Sequence, residues 1–146
     1  MHKEYKEQSA YKIGIFEKTV AALEEAVLEP ADVKRFVIDS CVTRFKLCFE
    51  ASWKALKVVL LEKYKIDAAY PKVVLIEAYK VKLIDDEDMW ITMLDERNEV
   101  THVYDQDVAD HIYDYTRSTY FFVLKKTMLM LKEQYGSEMP VGKKKR

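Results

Sequence analysis

Between Tyr5 and Leu28, the residues Ile13, Phe16, Val20, Leu23 and Val27 recur at alternating steps of three and four positions. That period places them on one narrow helical seam, of the kind that packs against a partner helix. Pro30 ends the element, because proline lacks a backbone donor and its ring clashes with the preceding turn. Asp32 is placed to cap a second helix running to about Tyr64, with Phe36, Cys41, Phe45, Cys48, Phe49, Trp53, Leu56 and Leu60 on its buried side. After a loop around residues 67–70, Pro71 suits the first position of a shorter third helix, where no donor is required. Asp85, Asp86, Glu87 and Asp88 supply a cap and first-turn negative charge for a fourth helix. It passes through Met89, Trp90, Met93 and Leu94 towards Tyr104. A fifth runs from near Asp107 to about Tyr135, carrying Val108, Ile112, Tyr115, Phe122, Val123 and Leu129, with Gly136 placed to close it.

These elements predict an all-α fold: an antiparallel up-and-down helical bundle of four main helices plus a short one. Three glycines and three prolines are too few for the tight turns of an all-β protein. At 146 residues, with no internal repeat and no break in composition, one domain over residues 1–135 is expected. Residues 136–146, ending KKKR, read as a flexible basic tail. The net charge of −1 gives no general basic field for nucleic acid, which leaves only a local patch to bind it. Cys41 and Cys48 would stack on one helix face about 10 Å apart, too far for a disulfide, and read as reduced core residues. There is no signal-peptide pattern and no apolar run long enough for a bilayer, so a cytoplasmic protein with no membrane contact is expected.

Known chemical motifs are few. Scattered glycines cannot form a phosphate-binding loop. His2, His102 and His111 lack the spacing of a zinc site, and the two cysteines are not a CxxC pair. The run DDED reads as a helix cap rather than a metal site. No metal or other cofactor is expected.

One residue breaks the apolar pattern. At about 100° per residue, Arg97 falls about 20° from Trp90, in the middle of the face that Trp90 and Leu94 commit to burial. A guanidinium there must be paired or must line a wet cleft. Two readings follow: a structural arginine bonded to another helix, or a polar site between helices or subunits. In the second reading Arg97 would hold a phosphate and His102 would move protons near neutral pH. Arg97 and His102 are five apart, so an ideal helix points them about 140° away from each other. They converge through arginine's reach, through a π-bulge between them, or across a dimer axis.

The run RFKLCFEASWKALK at 44–57 and the segment LIDDEDMWITMLDERNEVTHVYD at 83–105 resemble two signatures of the nucleotidyltransferase substrate-binding proteins of the HEPN superfamily. The second ends in that family's R-x4-H-x-Y motif, and the resemblance covers roughly residues 10–132. It implies a bundle like the C-terminal domain of kanamycin nucleotidyltransferase, a homodimer, and a separate minimal nucleotidyltransferase as partner. It also implies a toxin–antitoxin pair in which the HEPN chain is a metal-independent RNA-cleaving toxin, silenced by AMP attached to the motif tyrosine. On that resemblance Arg97, Asn98 and His102 match the catalytic positions and Tyr104 the AMP acceptor. The alternative implied role is a non-catalytic subunit that helps the nucleotidyltransferase bind its substrate.

Overall fold

A computed structural model describes residues 7–30, 34–102 and 105–137, with the backbone alone described at His102. The helices are α1 (Ser9–Val27), α2 (Arg35–Tyr64), α3 (Pro71–Lys80), α4 (Glu87–His102), α5 (Gln106–Tyr115) and α6 (Phe121–Tyr135). A five-residue π-helical segment, Thr116–Tyr120, carries α5 directly into α6. The fifth helix expected from the pattern is thus one continuous element with a change of pitch inside it. Among the described residues there is no strand, and the architecture is the all-α bundle. α1 packs along α2 and α6, α3 bridges α2 and α4, and the end of α4 meets α5.

Local chemistry explains most boundaries. Asp86 Oδ1 accepts from Met89 N at 3.0 Å, and Glu87 and Asp88 lie in the first turn of α4 against its positive pole. Asp105 caps α5 by accepting from Asp107 N and Val108 N. Pro71 opens α3. At α2 the cap position falls on Lys34, which makes no capping bond; Asp32, the expected cap, lies outside the described residues. α2 ends on Lys65 with φ of 59°, where Ile66 N donates back to Leu60 O at 2.9 Å. This left-handed ending is one that glycine usually supplies, and here lysine takes it. Gly136 does close α6, but in the ordinary right-handed region.

The predicted seam of α1 is buried at Ile13, Phe16, Val20 and Leu23. On α2 both cysteines, Phe45, Phe49, Leu56 and Leu60 are buried as expected. Phe36, in the first turn of α2, is not: it is exposed. From α5 through the π segment to α6 the large buried hydrophobic side chains include Ile112, Tyr113, Tyr120, Phe121, Leu124, Met128 and Leu131, while Tyr115, Phe122 and Leu129 are exposed. The π segment explains Phe122 and Leu129, which follow it: its wider turns shift the helical phase, so a stripe projected at constant pitch lands on the wrong face. The core centres on Trp90, Phe49, Phe45 and Tyr120, with ring centroids 6.1 Å apart for Phe49–Trp90 and 5.4 Å for Phe45–Tyr120.

One carboxylate enters this core. Glu62, buried on α2, accepts from Gln8 N at 2.6 Å, Ser9 N at 2.9 Å and Ser9 Oγ at 2.6 Å. It does for the start of α1 what a capping side chain would do, from a helix distant in sequence.

Candidate functional site

Arg97 sits on the inner stripe of α4, between the buried Met93 and Leu94 on one side and Val100 on the other. Its side chain is 21% exposed, and its guanidinium carbon lies 5.8 Å from the centre of the Phe49 ring on α2. A terminal nitrogen approaches Glu50 Oε1 at 3.5 Å, an ion pair without hydrogen-bond length, and Glu50 is shared with Lys54 at 3.3 Å. Arg97 Nε is enclosed and has no hydrogen-bond partner among the described residues. Trp53, one turn beyond Glu50 on α2, carries a second enclosed donor without a partner among them, its indole Nε1. An arginine has five N–H donors, so this one retains capacity for an anion or a carbonyl.

The other motif residues are placed less completely. Asn98 is exposed beside Arg97. His102 is the last residue of α4, and its side chain lies outside the description, as does all of Tyr104. α4 is regular from Glu87 to His102, so no π-bulge separates Arg97 from His102. The π segment lies instead in the following helix. On a regular helix the two Cβ directions differ by about 140°, which leaves arginine's reach or a second copy as the ways to bring them together.

On the other flank of α4 is a polar cluster that sequence spacing did not single out. Glu96 Oε1 accepts from the Tyr120 hydroxyl at 2.5 Å, and Glu96 Oε2 lies 2.7 Å from His111 Nε2. The His111 ring is 4.5 Å from that of Tyr115, which stacks on Tyr120 at 5.8 Å. Burial, reinforced by the Glu96 carboxylate, pushes the Tyr120 hydroxyl well above its ordinary value of 10.0. Glu96, His111 and Tyr120 come from three elements, and no periodicity within one helix relates them. The only sequence signal was a histidine and tyrosines on a polar face near the motif. Elsewhere burial pushes the Cys41 thiol up to about 11 and the Cys48 thiol up to about 12, as inert core thiols require. Among the described residues no cluster of three or more His, Cys, Asp or Glu side chains has metal-binding geometry, and no helix is long and apolar enough to cross a membrane.

An all-α up-and-down bundle with an under-bonded arginine on its inner face defines a class: a helical-bundle protein with a polar site at the end of its fourth helix. Comparison with known proteins gives the family. The model for "Nucleotidyltransferase substrate binding protein like" matches residues 11–133, and the chain belongs to that family. A crystal structure from Thermus thermophilus is 30% identical, with a TM-score of 0.74 over 80% of this chain and 98% of that one. The probable ribonuclease HepT of Haemophilus influenzae is 31% identical over 90 residues; the match takes in 59% of this chain and spans 62% of that relative's length. A Shewanella oneidensis HEPN toxin, tri-AMPylated and in complex with MNT antitoxin, shares the fold at 14% identity. Its TM-score is 0.68 over 89% of this chain and all of that one.

Proposed function

We propose that this chain is the HEPN partner subunit of a minimal nucleotidyltransferase, a homodimeric, metal-independent ribonuclease toxin of the cytoplasm that is silenced by AMP attached to Tyr104. The observation that carries the reading is Arg97 of the motif: largely buried, 3.5 Å from its nearest carboxylate, with an enclosed Nε unpaired among the described residues. Arg117 also has an enclosed Nε without a partner among the described residues, so what sets Arg97 apart is its place in the R-x4-H-x-Y motif together with terminal donors that no hydrogen bond uses. The relatives named as a probable ribonuclease and as an AMPylated toxin support the same reading.

In this reading Arg97 stabilises the charge that builds on the phosphorane, and Asn98 adds a polar contact beside it. His102 moves the proton of a ribose 2′-hydroxyl, and the product ends in a 2′,3′-cyclic phosphate. Two copies meeting near the ends of their α4 helices bring Arg97 and His102 together. Residues 1–135 form the working domain and 136–146 a basic tail. The second reading, a non-catalytic subunit that positions the nucleotidyltransferase's substrate, is favoured by the family's own description and by the net charge of −1.

The test is RNA cleavage by purified protein in chelator. His102→Ala is expected to abolish cleavage, and unchanged cleavage in that variant would sink the catalytic assignment. Incubation with the cognate nucleotidyltransferase and ATP is expected to add AMP-sized mass increments that Tyr104→Phe loses. Cleavage absent from the wild type, with an active nucleotidyltransferase and no increment, would favour the substrate-binding subunit.

A further inference from the structure

The net charge of −1 leaves only a local patch to attract nucleic acid, and the acids of this bundle are unevenly shared among its cations. On α1, Glu17 and Glu24 turn towards α6 and neutralise Lys132 and Lys125. Lys126 is paired with Asp85, and Lys63 with Glu7. On α2 the balance differs. Lys46, Glu50, Trp53, Lys54 and Lys57 fall within about 100° of arc on a regular helix, all at least partly exposed. Glu50 is the one acid among them, and it is divided between Lys54 at 3.3 Å and Arg97 at 3.5 Å. Lys46 and Lys57 have no ion pair among the described residues. Lys46, Lys54, Lys57 and Arg97 thus share a single carboxylate along a strip about 16 Å long.

Two features beside the strip suit an oligonucleotide. Trp53 Nε1 and Arg97 Nε, on the α4 side of Glu50, are enclosed donors without partners among the described residues. On the other side of Glu50 a groove of about 280 Å³ runs between α1 and α2. Its lining is the apolar Ile15, Leu47 and Ala51 together with Lys12, Thr19 and Lys54. Such a volume lies at the lower end of ligand pockets and takes a flat ring rather than a helix.

We infer that the face of α2 from Lys46 to Lys57, with this groove, is the track that binds single-stranded RNA and leads it to Arg97; this builds on the ribonuclease reading above. The lysines meet the backbone phosphates, and an unstacked base buries its apolar face between Ile15 and Leu47. Glu50 does not block the track. No hydrogen bond holds it to Arg97, so a phosphate displaces it while Lys54 keeps its carboxylate paired. A duplex keeps its bases stacked and paired, so it engages the lysines and leaves the groove empty.

The probe is a fluorescein-labelled single-stranded 2′-O-methyl oligoribonucleotide, which has no free 2′-hydroxyl to attack phosphorus, so anisotropy reads binding without cleavage. Full-length wild type is compared with Lys46→Ala/Lys57→Ala, Leu47→Glu and Glu50→Gln. Lys126→Ala/Lys132→Ala on α6 is the control, since it changes the net charge equally at lysines already neutralised by acids. Thermal melting checks that each variant is folded. The Lys46/Lys57 pair is expected to lose about tenfold in affinity, and its log–log salt slope to flatten by about 1.4, from two phosphates at about 0.7 each. Leu47→Glu should lose about as much, Glu50→Gln should bind about threefold more tightly, and the control should stay within about threefold of wild type. A matching duplex should bind the wild type at least about tenfold more weakly than the single strand. Equal losses in the two lysine pairs, or a duplex bound as tightly as the single strand, would overturn the track. Variants that bind RNA normally but no longer accept AMP from the nucleotidyltransferase would also overturn it, by making this face the partner's. Ordinary RNA run in parallel keeps the two readings apart. Cleavage by the wild type, with binding unchanged in the variants, would overturn the track and leave the ribonuclease standing. Lysine-dependent binding without cleavage would do the reverse.

Discussion

Glu62 and Arg97, two charged side chains of the bundle interior, are treated in opposite ways. Glu62, on α2, accepts three hydrogen bonds at the start of α1 and is buried with its bonding capacity used locally. Arg97, on α4, has an ion pair at 3.5 Å, an aromatic face at 5.8 Å and an enclosed Nε with no partner among the described residues. A charge kept for folding repays its lost hydration with bonds inside the chain, whereas a charge kept for a ligand holds donors in reserve at some cost in stability. The contrast separates the scaffold from the candidate site more clearly than burial does, since both residues are largely out of water.

The comparison can be broken by substitution. The largest effect on stability is expected at Glu62: replacement by Ala strands the N–H groups of Gln8 and Ser9 at the start of α1 and should cost about 3 kcal/mol. Urea unfolding measures it, and a loss below about 1 kcal/mol would show that Glu62 is not a structural charge. Removing the Tyr120 hydroxyl should cost less, about 2 kcal/mol at neutral pH for Tyr120→Phe, because Glu96 keeps His111 as a partner. That gap depends on pH. The native hydroxyl is held above its ordinary value, so the fold favours the neutral form. Its contribution is complete below about pH 10, where the unfolded tyrosine is also neutral, and declines as pH rises towards the native value. Wild type and Tyr120→Phe should therefore converge above about pH 10 in parallel melts, with the cysteine contributions common to both. A constant gap would remove the Glu96 link. The smallest effect is expected at Arg97: Arg97→Met, which fills the same space without a charge, should change stability by less than about 1 kcal/mol or raise it. A loss of several kcal/mol there would make Arg97 another Glu62 and favour the structural reading.

Much of this contrast was legible along the chain, but unevenly. The three-and-four steps through Ile13, Phe16, Val20 and Leu23 gave a buried seam, and the acidic run at 85–88 gave a cap, because both depend on neighbours within a turn or two. Arg97 stood out for the same reason: its phase relative to Trp90 is a property of one helix. The exposed faces of Phe36, Tyr115, Phe122 and Leu129 were not legible. Phe36 and Tyr115 need knowledge of how the helices pack, and Phe122 and Leu129 need the π segment, which no residue pattern announced.

By itself the sequence determined the helices, their order, most of the inner face and the family signatures, since helical period and capping act between residues three or four apart. The tertiary structure alone decided which charges are satisfied. Glu62 finds the start of α1 across more than fifty residues, and Glu96 gathers His111 and Tyr120 from two later elements. Those pairings depend on how helices pack against one another, and side-chain spacing along any single helix carries no record of them.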